Sequence, residues 1–110
     1  MNYELNRNKL VRTMDQLGFA ESTIGTRYIR DAVEIAAGLE RAMMCKDIYP
    51  GIAQKHGIAP AHAERAIRTA IGKAQRSPSW DFQWKELGGW GDPTNSELIL
   101  RLLRECRIEN

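Results

Sequence analysis

The sequence lacks any long apolar run and any leader-like start. No segment offers 18 consecutive apolar residues, about the minimum for a helix that spans a bilayer. The secretory pattern of basic residues followed by apolar ones is missing from the first ten residues, MNYELNRNKL. These two absences predict a soluble chain that stays in the cytoplasm and has no membrane partner.

Cysteine is scarce, since Cys45 and Cys106 are the only two in 110 residues. Each stands among apolar neighbours in a helical pattern, which is typical of reduced core thiols rather than of a disulfide framework. We therefore expect two buried thiols and no disulfide, and a thiol count on the denatured protein checks the second point.

Residue patterns typical of catalysis and of metal binding are also missing from the sequence. The chain has no glycine-rich phosphate loop, no activated nucleophile and no pair of carboxylates placed for acid–base chemistry. The triplet His62-Ala63-Glu64 matches one half of the zinc-deaminase motif, but the Pro-Cys-x-x-Cys half is absent. We expect a protein that is not an enzyme and that holds no cofactor and no metal.

What the chain does have is a size suited to one domain and an uneven charge. With 110 residues, 43% of them hydrophobic, it is expected to form a single domain over residues 1–110. Residues 41–76 hold seven basic and two acidic side chains, a net charge of +5, whereas the remainder holds nine basic and twelve acidic, or −3. A basic segment in an otherwise acidic molecule is typical of phosphate binding, although a solvated helix face has the same composition.

Apolar spacing predicts helices over most of the chain. A first amphipathic helix is predicted over residues 5–17 and ended by Gly18, and a second is predicted over residues 26–37. The last helix opens with a capping box formed by Thr94 and Glu97. No internal repeat or low-complexity segment interrupts this pattern. The predicted fold is all-α, a compact domain of five or six helices.

Two segments leave alternatives open. An apolar patch precedes Pro50, and a helix can either begin at this proline or continue through it with a kink. Aromatic residues at 80–90 alternate as in a strand, but a lone strand has no partner in a helical chain. A short helix or an irregular segment is expected there, with its rings either in the core or forming a partner surface. The rings concerned belong to Trp80, Phe82, Trp84 and Trp90.

Residues 50–76 have the pattern of a helix, a four-residue corner and a second helix. Gly57 suits the positive φ that ends a helix, and Pro60 suits the first turn of the next one. Small apolar side chains then recur at helical spacing, at Ala63, Ile67, Ala70, Ile71 and Ala74. We place a helix-turn-helix at about residues 47–76 and expect its second helix to pack through this stripe, leaving the opposite face free.

The free face carries the candidate DNA contacts. Arg65 is the choice for base readout, because its planar guanidinium can donate two hydrogen bonds to O6 and N7 of one guanine. Arg68 and Glu64 are expected beside it, where Glu64 accepts from cytosine N4, forms an i,i+4 ion pair with Arg68, or does both. Accessory positions, mainly for the DNA backbone, are Lys55, His62, Thr69, Lys73 and Arg76.

Four short blocks carry a resemblance to a known family. They are Gly25 with YIRDAV at 28–33, YPGIAQK at 49–55, ERAIR followed by AI at 64–71, and PTNSE at 93–97. In this order, across about residues 5–109, they resemble the C-terminal DNA-binding domain of the sporulation-initiation response regulator family. The resemblance implies a six-helix fold that binds double-stranded DNA and regulates transcription. It also implies that Arg65 reads guanine, that Glu64 and Arg68 face the bases, and that a TGTCGAA-like element is preferred.

The resemblance further implies partners. In the family, the surface that corresponds to residues 77–92 is associated with the RNA polymerase sigma subunit, and a receiver domain precedes the DNA-binding domain. Because Met1 stands almost at the start of the first helix, we expect a chain without that receiver. One recognition helix offers few contacts, so we expect a homodimer on adjacent half-sites. The alternative is a protein-interaction module that modulates RNA polymerase or another regulator without productive DNA binding.

Overall fold

The computed structural model describes residues 4–108 and shows six α-helices with a short two-stranded sheet. The helices are α1 (Arg7–Leu17), α2 (Ile24–Ala37), α3 (Tyr49–His56), α4 (Pro60–Ala74), α5 (Trp80–Glu86) and α6 (Asn95–Cys106). Strand β1 (Glu4–Leu5) pairs antiparallel with β2 (Arg107–Ile108). The predicted all-α fold is confirmed. The predicted limits of the domain, residues 1 and 110, lie outside the described residues.

Helix ends follow the capping residues that the sequence offers. Gly18 and Gly57 take φ values of 103° and 66° and end α1 and α3, as predicted. At the start of α6 the Thr94 hydroxyl oxygen lies 3.1 Å from the Glu97 amide and accepts its hydrogen bond. The Glu97 carboxylate accepts a hydrogen bond from the Thr94 hydroxyl, whereas the predicted capping box has it accept from the Thr94 backbone amide. The first helix begins two residues later than predicted, because Leu5 pairs in β1.

The core is one cluster to which five helices and the turn before α3 contribute fully buried side chains. Helix α2 lies at its centre and packs against α3, α4 and α6. Burying a large aliphatic side chain stabilises a fold by about 1.5–3 kcal/mol, so this cluster holds the helices together. Its largest fully buried members include Leu10, Met14, Leu17, Ile29, Val33, Ile48, Ile52, Ile67, Leu98, Ile99 and Leu102.

Two close helix crossings fix the position of α3 and α4 on α2. A Cβ atom on Gly25 of α2 would lie 2.1 Å from the carbonyl oxygen of Ala66 in α4, so only glycine fits this crossing. A Cβ atom on Gly51 of α3 would lie 2.8 Å from a methyl carbon of Ile35 in α2. Both helices of the predicted helix-turn-helix are therefore seated on the same central helix.

The segment before Pro50 combines the two alternatives. A π-helical turn at Met44–Ile48 runs directly into α3, and Pro50 is the second residue of that helix. The amide of Tyr49 donates to the Met44 carbonyl, so helical hydrogen bonding continues up to Pro50, which has no amide hydrogen to extend it. The expectation of two buried thiols is wrong for Cys45, which lies exposed in this turn, and right for Cys106; both are free.

The aromatic segment forms the short helix α5, and its rings divide between core and surface. Trp80 and Trp84, four residues apart and on the same helix face, are buried and stacked with ring centroids 5.5 Å apart. Phe82 lies between them on the other face and is 66% exposed, and Trp90 in the following loop is 87% exposed. The core interpretation is therefore wrong for Phe82 and Trp90.

Candidate nucleic-acid interface

Helices α3 and α4 meet at a corner of three residues, 57–59. The amide of Ile58 donates to the carbonyl of Ala53 at 3.1 Å, which closes the end of α3, and the Ile58 side chain packs against the core. Ala59 is extended, with φ −76° and ψ 146°, and Pro60 is the first residue of α4. This geometry is the predicted helix-turn-helix arrangement, held by a glycine in the left-handed conformation at its first corner residue.

Helix α4 packs through the predicted stripe. All five stripe residues, Ala63, Ile67, Ala70, Ile71 and Ala74, are buried. Because successive helical residues are about 100° apart, Arg65 points away from the middle of this stripe and Arg68 about 60° to one side of Arg65. Arg65 and Arg68 are both exposed, together with His62, Thr69 and Lys73, and Arg76 is exposed just beyond the helix end.

The two arginines differ in what they contact. The Arg68 guanidinium donates to the Glu64 carboxylate at 3.1 Å, the i,i+4 pair considered from the sequence, which stabilises an exposed helix by about 0.2–0.5 kcal/mol. The Arg65 side chain has no hydrogen bond or ion pair within residues 4–108. Its five donors are therefore not engaged by any of these residues.

Asn95 connects three helices at the site through hydrogen bonds, a role that the sequence did not predict. As the first residue of α6, it donates from Nδ2 to the Tyr49 hydroxyl at 3.0 Å and to the Glu64 carbonyl at 3.1 Å. Asn95 and Tyr49 are both buried, and burial is the main cause of a raised pKa at Tyr49. A single amide thus joins α3, α4 and α6 directly beneath the Glu64–Arg68 pair. The only sequence signal was its place in the PTNSE block.

The accessory positions fall into two groups. His62, Thr69 and Lys73 lie along the side of α4 opposite to Glu64, as their helical spacing requires. Lys55 belongs instead to the last turn of α3, where its Nζ contacts Asp31 Oδ1 at 2.7 Å. This hydrogen bond and the charge of Asp31 raise the pKa of Lys55. The structure thus gives Lys55 a partner that the sequence did not indicate.

The loop after α5 presents Trp90 from a fixed support. The Trp84 indole nitrogen donates to the Gly91 carbonyl at 3.1 Å, and Gly89 lies so close to the Trp84 ring that a Cβ atom there would fall 2.1 Å from it. Trp90 is therefore exposed on a loop that the buried Trp84 holds in place.

The described part of the chain has neither a cluster of metal ligands nor a membrane-spanning helix. Between residues 4 and 108 no three histidine, cysteine, aspartate or glutamate side chains come together as metal ligands. The same residues include no helix that is both long and apolar enough to cross a membrane.

Comparison with known families gives a match over most of the chain. Residues 10–106 of the 110 match the family model described as the sporulation initiation factor Spo0A C terminal. The matched range contains the whole of α2 to α6, and hence both helices of the helix-turn-helix.

Proposed function

Because the chain belongs to the family of the Spo0A C-terminal domain, a family of DNA-binding transcription regulator domains rather than of enzymes, we propose that it binds double-stranded DNA sequence-specifically and regulates transcription. The observation that carries the proposal is Arg65, an exposed and unpaired guanidinium, within residues 4–108, at the centre of the free face of α4. Helix α4 is the recognition helix, and its free face enters the major groove.

Base readout rests on three side chains in this proposal. Arg65 donates to O6 and N7 of a guanine, a bidentate contact worth roughly 1–3 kcal/mol of discrimination. Glu64 accepts from N4 of a neighbouring cytosine, and Arg68, released from the ion pair seen at 3.1 Å, donates to the next base. The preferred site is a TGTCGAA-like element.

The remaining candidates position the DNA without reading it. His62, Thr69, Lys73 and Arg76 line the edge and the end of the same face and contact phosphates. Such contacts fix register and orientation, and they carry no sequence information. Lys55 is the accessory cation that already has a partner in the free protein.

The test measures binding to a duplex that carries a TGTCGAA-like site and to a scrambled duplex of equal length. Arg65→Ala is expected to weaken binding to the first by roughly 5- to 150-fold, the equivalent of 1–3 kcal/mol, and to leave binding to the second nearly unchanged. Arg104→Ala is the matched control, because it removes one exposed arginine from α6, outside the helix-turn-helix. Equal effects of the two substitutions would contradict the proposal.

We further propose that two copies of the chain bind adjacent half-sites. A single recognition helix buries too little surface and contacts too few phosphates for tight specific binding. Duplexes with two half-sites about 10 base pairs apart, one helical turn, should bind two copies cooperatively, whereas a 5-base-pair offset should abolish the cooperativity. Independent binding at both spacings would indicate a monomeric regulator.

A second candidate function is favoured by the aromatic surface. Trp90 is 87% exposed on a loop that a buried tryptophan holds in place, and large exposed aromatic residues mark partner sites. In this alternative the chain modulates RNA polymerase, through its sigma subunit, or another regulator without productive DNA binding. Equal and weak DNA binding by the unsubstituted protein and by Arg65→Ala would favour it.

A further inference from the structure

Asp31 of α2 holds two basic side chains from the end of α3. Its Oδ1 lies 2.7 Å from Nζ of Lys55, and its Oδ2 lies 2.6 Å from Nε2 of His56. The His56 ring also packs on the Tyr28 ring, with centroids 4.9 Å apart. Both carboxylate oxygens are thus occupied by neighbouring residues of the helix that precedes the corner.

The carboxylate is the largely buried part of this cluster and the lysine is the exposed part. The Asp31 side chain is 13% exposed, against 59% for Lys55. A lysine ammonium has three donors, so the Lys55 group has further donors for solvent or for an anion, but its charge already lies next to an opposite charge. An approaching phosphate gains little net attraction from a cation that is neutralised in this way.

The cluster lies where the DNA backbone is expected. Lys55 and His56 form the last turn of α3, three corner residues before α4 begins at Pro60. The first turn of α4 carries exposed His62, and Arg65 follows one turn later. In helix-turn-helix proteins the first helix crosses the DNA backbone while the second reads the groove, so the end of α3 is suited to a phosphate contact.

We propose that Asp31 is an internal competitor of DNA phosphate, which keeps the Lys55 and His56 cluster from contributing to DNA binding and thereby limits affinity without affecting sequence preference. The proposal rests on the proposed DNA-binding function. Its opposite is a positioning role, in which Asp31 orients Lys55 toward a phosphate that Lys55 contacts in the complex.

Substitutions that remove one or both charges of the Asp31–Lys55 pair separate these two roles. Asp31→Asn leaves Lys55 unpaired, and the double variant Asp31→Asn/Lys55→Met removes both charges and keeps the net charge of the pair at zero. If Asp31 competes with phosphate, Asp31→Asn tightens binding roughly five- to tenfold near 0.1 M salt and steepens the slope of log K against log salt by about 1. The double variant then binds as the unsubstituted protein does.

The opposite pattern would overturn the proposal. If Asp31 positions Lys55, Asp31→Asn fails to tighten binding, and the double variant binds more weakly with a slope shallower by about 1, because a phosphate contact is lost. Both duplexes, TGTCGAA-like and scrambled, should respond equally, since phosphate contacts carry no sequence information. A gain that survives Lys55→Met also supports the competitor role, because Asp31→Asn releases His56 as well as Lys55.

A heparin-column measurement and a second substitution at Asp31 complete the test. Elution from a heparin column orders the same variants by free positive charge, so the competition is tested even if no specific DNA binding is found. Later elution of Asp31→Asn alone supports the competitor role, and elution together with the unsubstituted protein contradicts it. Asp31→Ser supplies the same loss of charge should Asp31→Asn not fold, as judged by circular dichroism.

Discussion

At the scale of single residues, Thr26 carries a buried hydroxyl group without a partner. The residue is 1% exposed, and its Oγ1 has no hydrogen bond within residues 4–108. A buried polar group left unpaired costs about 1–3 kcal/mol. Thr26→Val keeps the branched shape and removes the oxygen, so we expect the free energy of unfolding to rise by about 1 kcal/mol. Urea denaturation followed by circular dichroism measures this change.

Thr13 is the control for that substitution. It is also buried, but its hydroxyl is hydrogen-bonded to the Cys106 thiol. Thr13→Val therefore removes a satisfied hydroxyl and should leave stability unchanged or lower it. A gain at both positions would mean that the missing partner of Thr26 is not the cause.

The two thiols should differ sharply in reactivity. Cys45 is exposed, whereas Cys106 is buried, and burial raises the pKa of the Cys106 thiol. Because the thiolate is the reactive form, Ellman's reagent at pH 8 should label one thiol of the folded protein within minutes and the second only after unfolding. Rapid labelling of both thiols in the folded protein would show that the C-terminal end of α6 opens readily. If neither thiol reacted even after unfolding, the two cysteines would be in a disulfide.

The raised pKa of Cys106 also sets a direction for pH dependence. The folded state holds the Cys106 proton more tightly than the unfolded state, so this thiol contributes stability below its ordinary pKa. That contribution is lost as pH rises through the raised value. The tyrosine hydroxyl of Tyr49, whose pKa burial also raises, acts in the same direction. Stability should therefore decline at alkaline pH, and Cys106→Ala should reduce the decline.

At the scale of elements, helix α4 begins without a capping side chain. Ala59 occupies the N-cap position of α4 with the extended backbone of a cap, but its side chain has no oxygen to accept from the first amides. Serine at such a position stabilises a helix by about 1 kcal/mol relative to alanine. We expect Ala59→Ser to raise the free energy of unfolding by that amount, measured by urea denaturation. Ala61→Ser, two residues further on and inside the helix, should give no gain.

The same helix shows what a sequence can predict. The sequence predicts every residue of the buried stripe, because a helix of 15 residues repeats its buried face several times. The stripe consists of Ala63, Ile67, Ala70, Ile71 and Ala74. Gly57 and Pro60 marked the corner, because each permits a backbone conformation that other residues disfavour. Long periodic segments and special backbone residues are therefore the reliable signals in this chain.

Short and non-local features could not be predicted from the sequence. The seven residues of α5 make less than two full periods, so the outward direction of Phe82 could not be distinguished from burial. The π-helical turn that exposes Cys45 has no characteristic residue pattern, and two-residue strands have no periodicity. Asp31 meets Lys55 across 24 positions, a contact that only the packing of α2 on α3 creates.

At the scale of the whole molecule, positive charge is concentrated where the helix-turn-helix lies. Residues 41–76 have a net charge of +5, while the rest of the chain has −3. Lys73 is an exposed member of this segment, on α4 at the edge of the proposed DNA face. If it contacts phosphate, Lys73→Ala should weaken binding to TGTCGAA-like and scrambled duplexes alike and should lower the salt slope by about 1.

Lys85→Ala is the control that separates a local phosphate contact of Lys73 from an effect of net charge. Lys85 is an exposed lysine near the end of α5, so its removal changes the net charge of the molecule by the same amount. Contacts with phosphate act over a few ångströms, whereas the attraction of a distant charge is screened over about 10 Å at 0.1 M salt. If the two substitutions lower the slope equally, net charge alone drives association. If only Lys73→Ala lowers the slope, the DNA backbone lies along the side of α4 that carries Lys73.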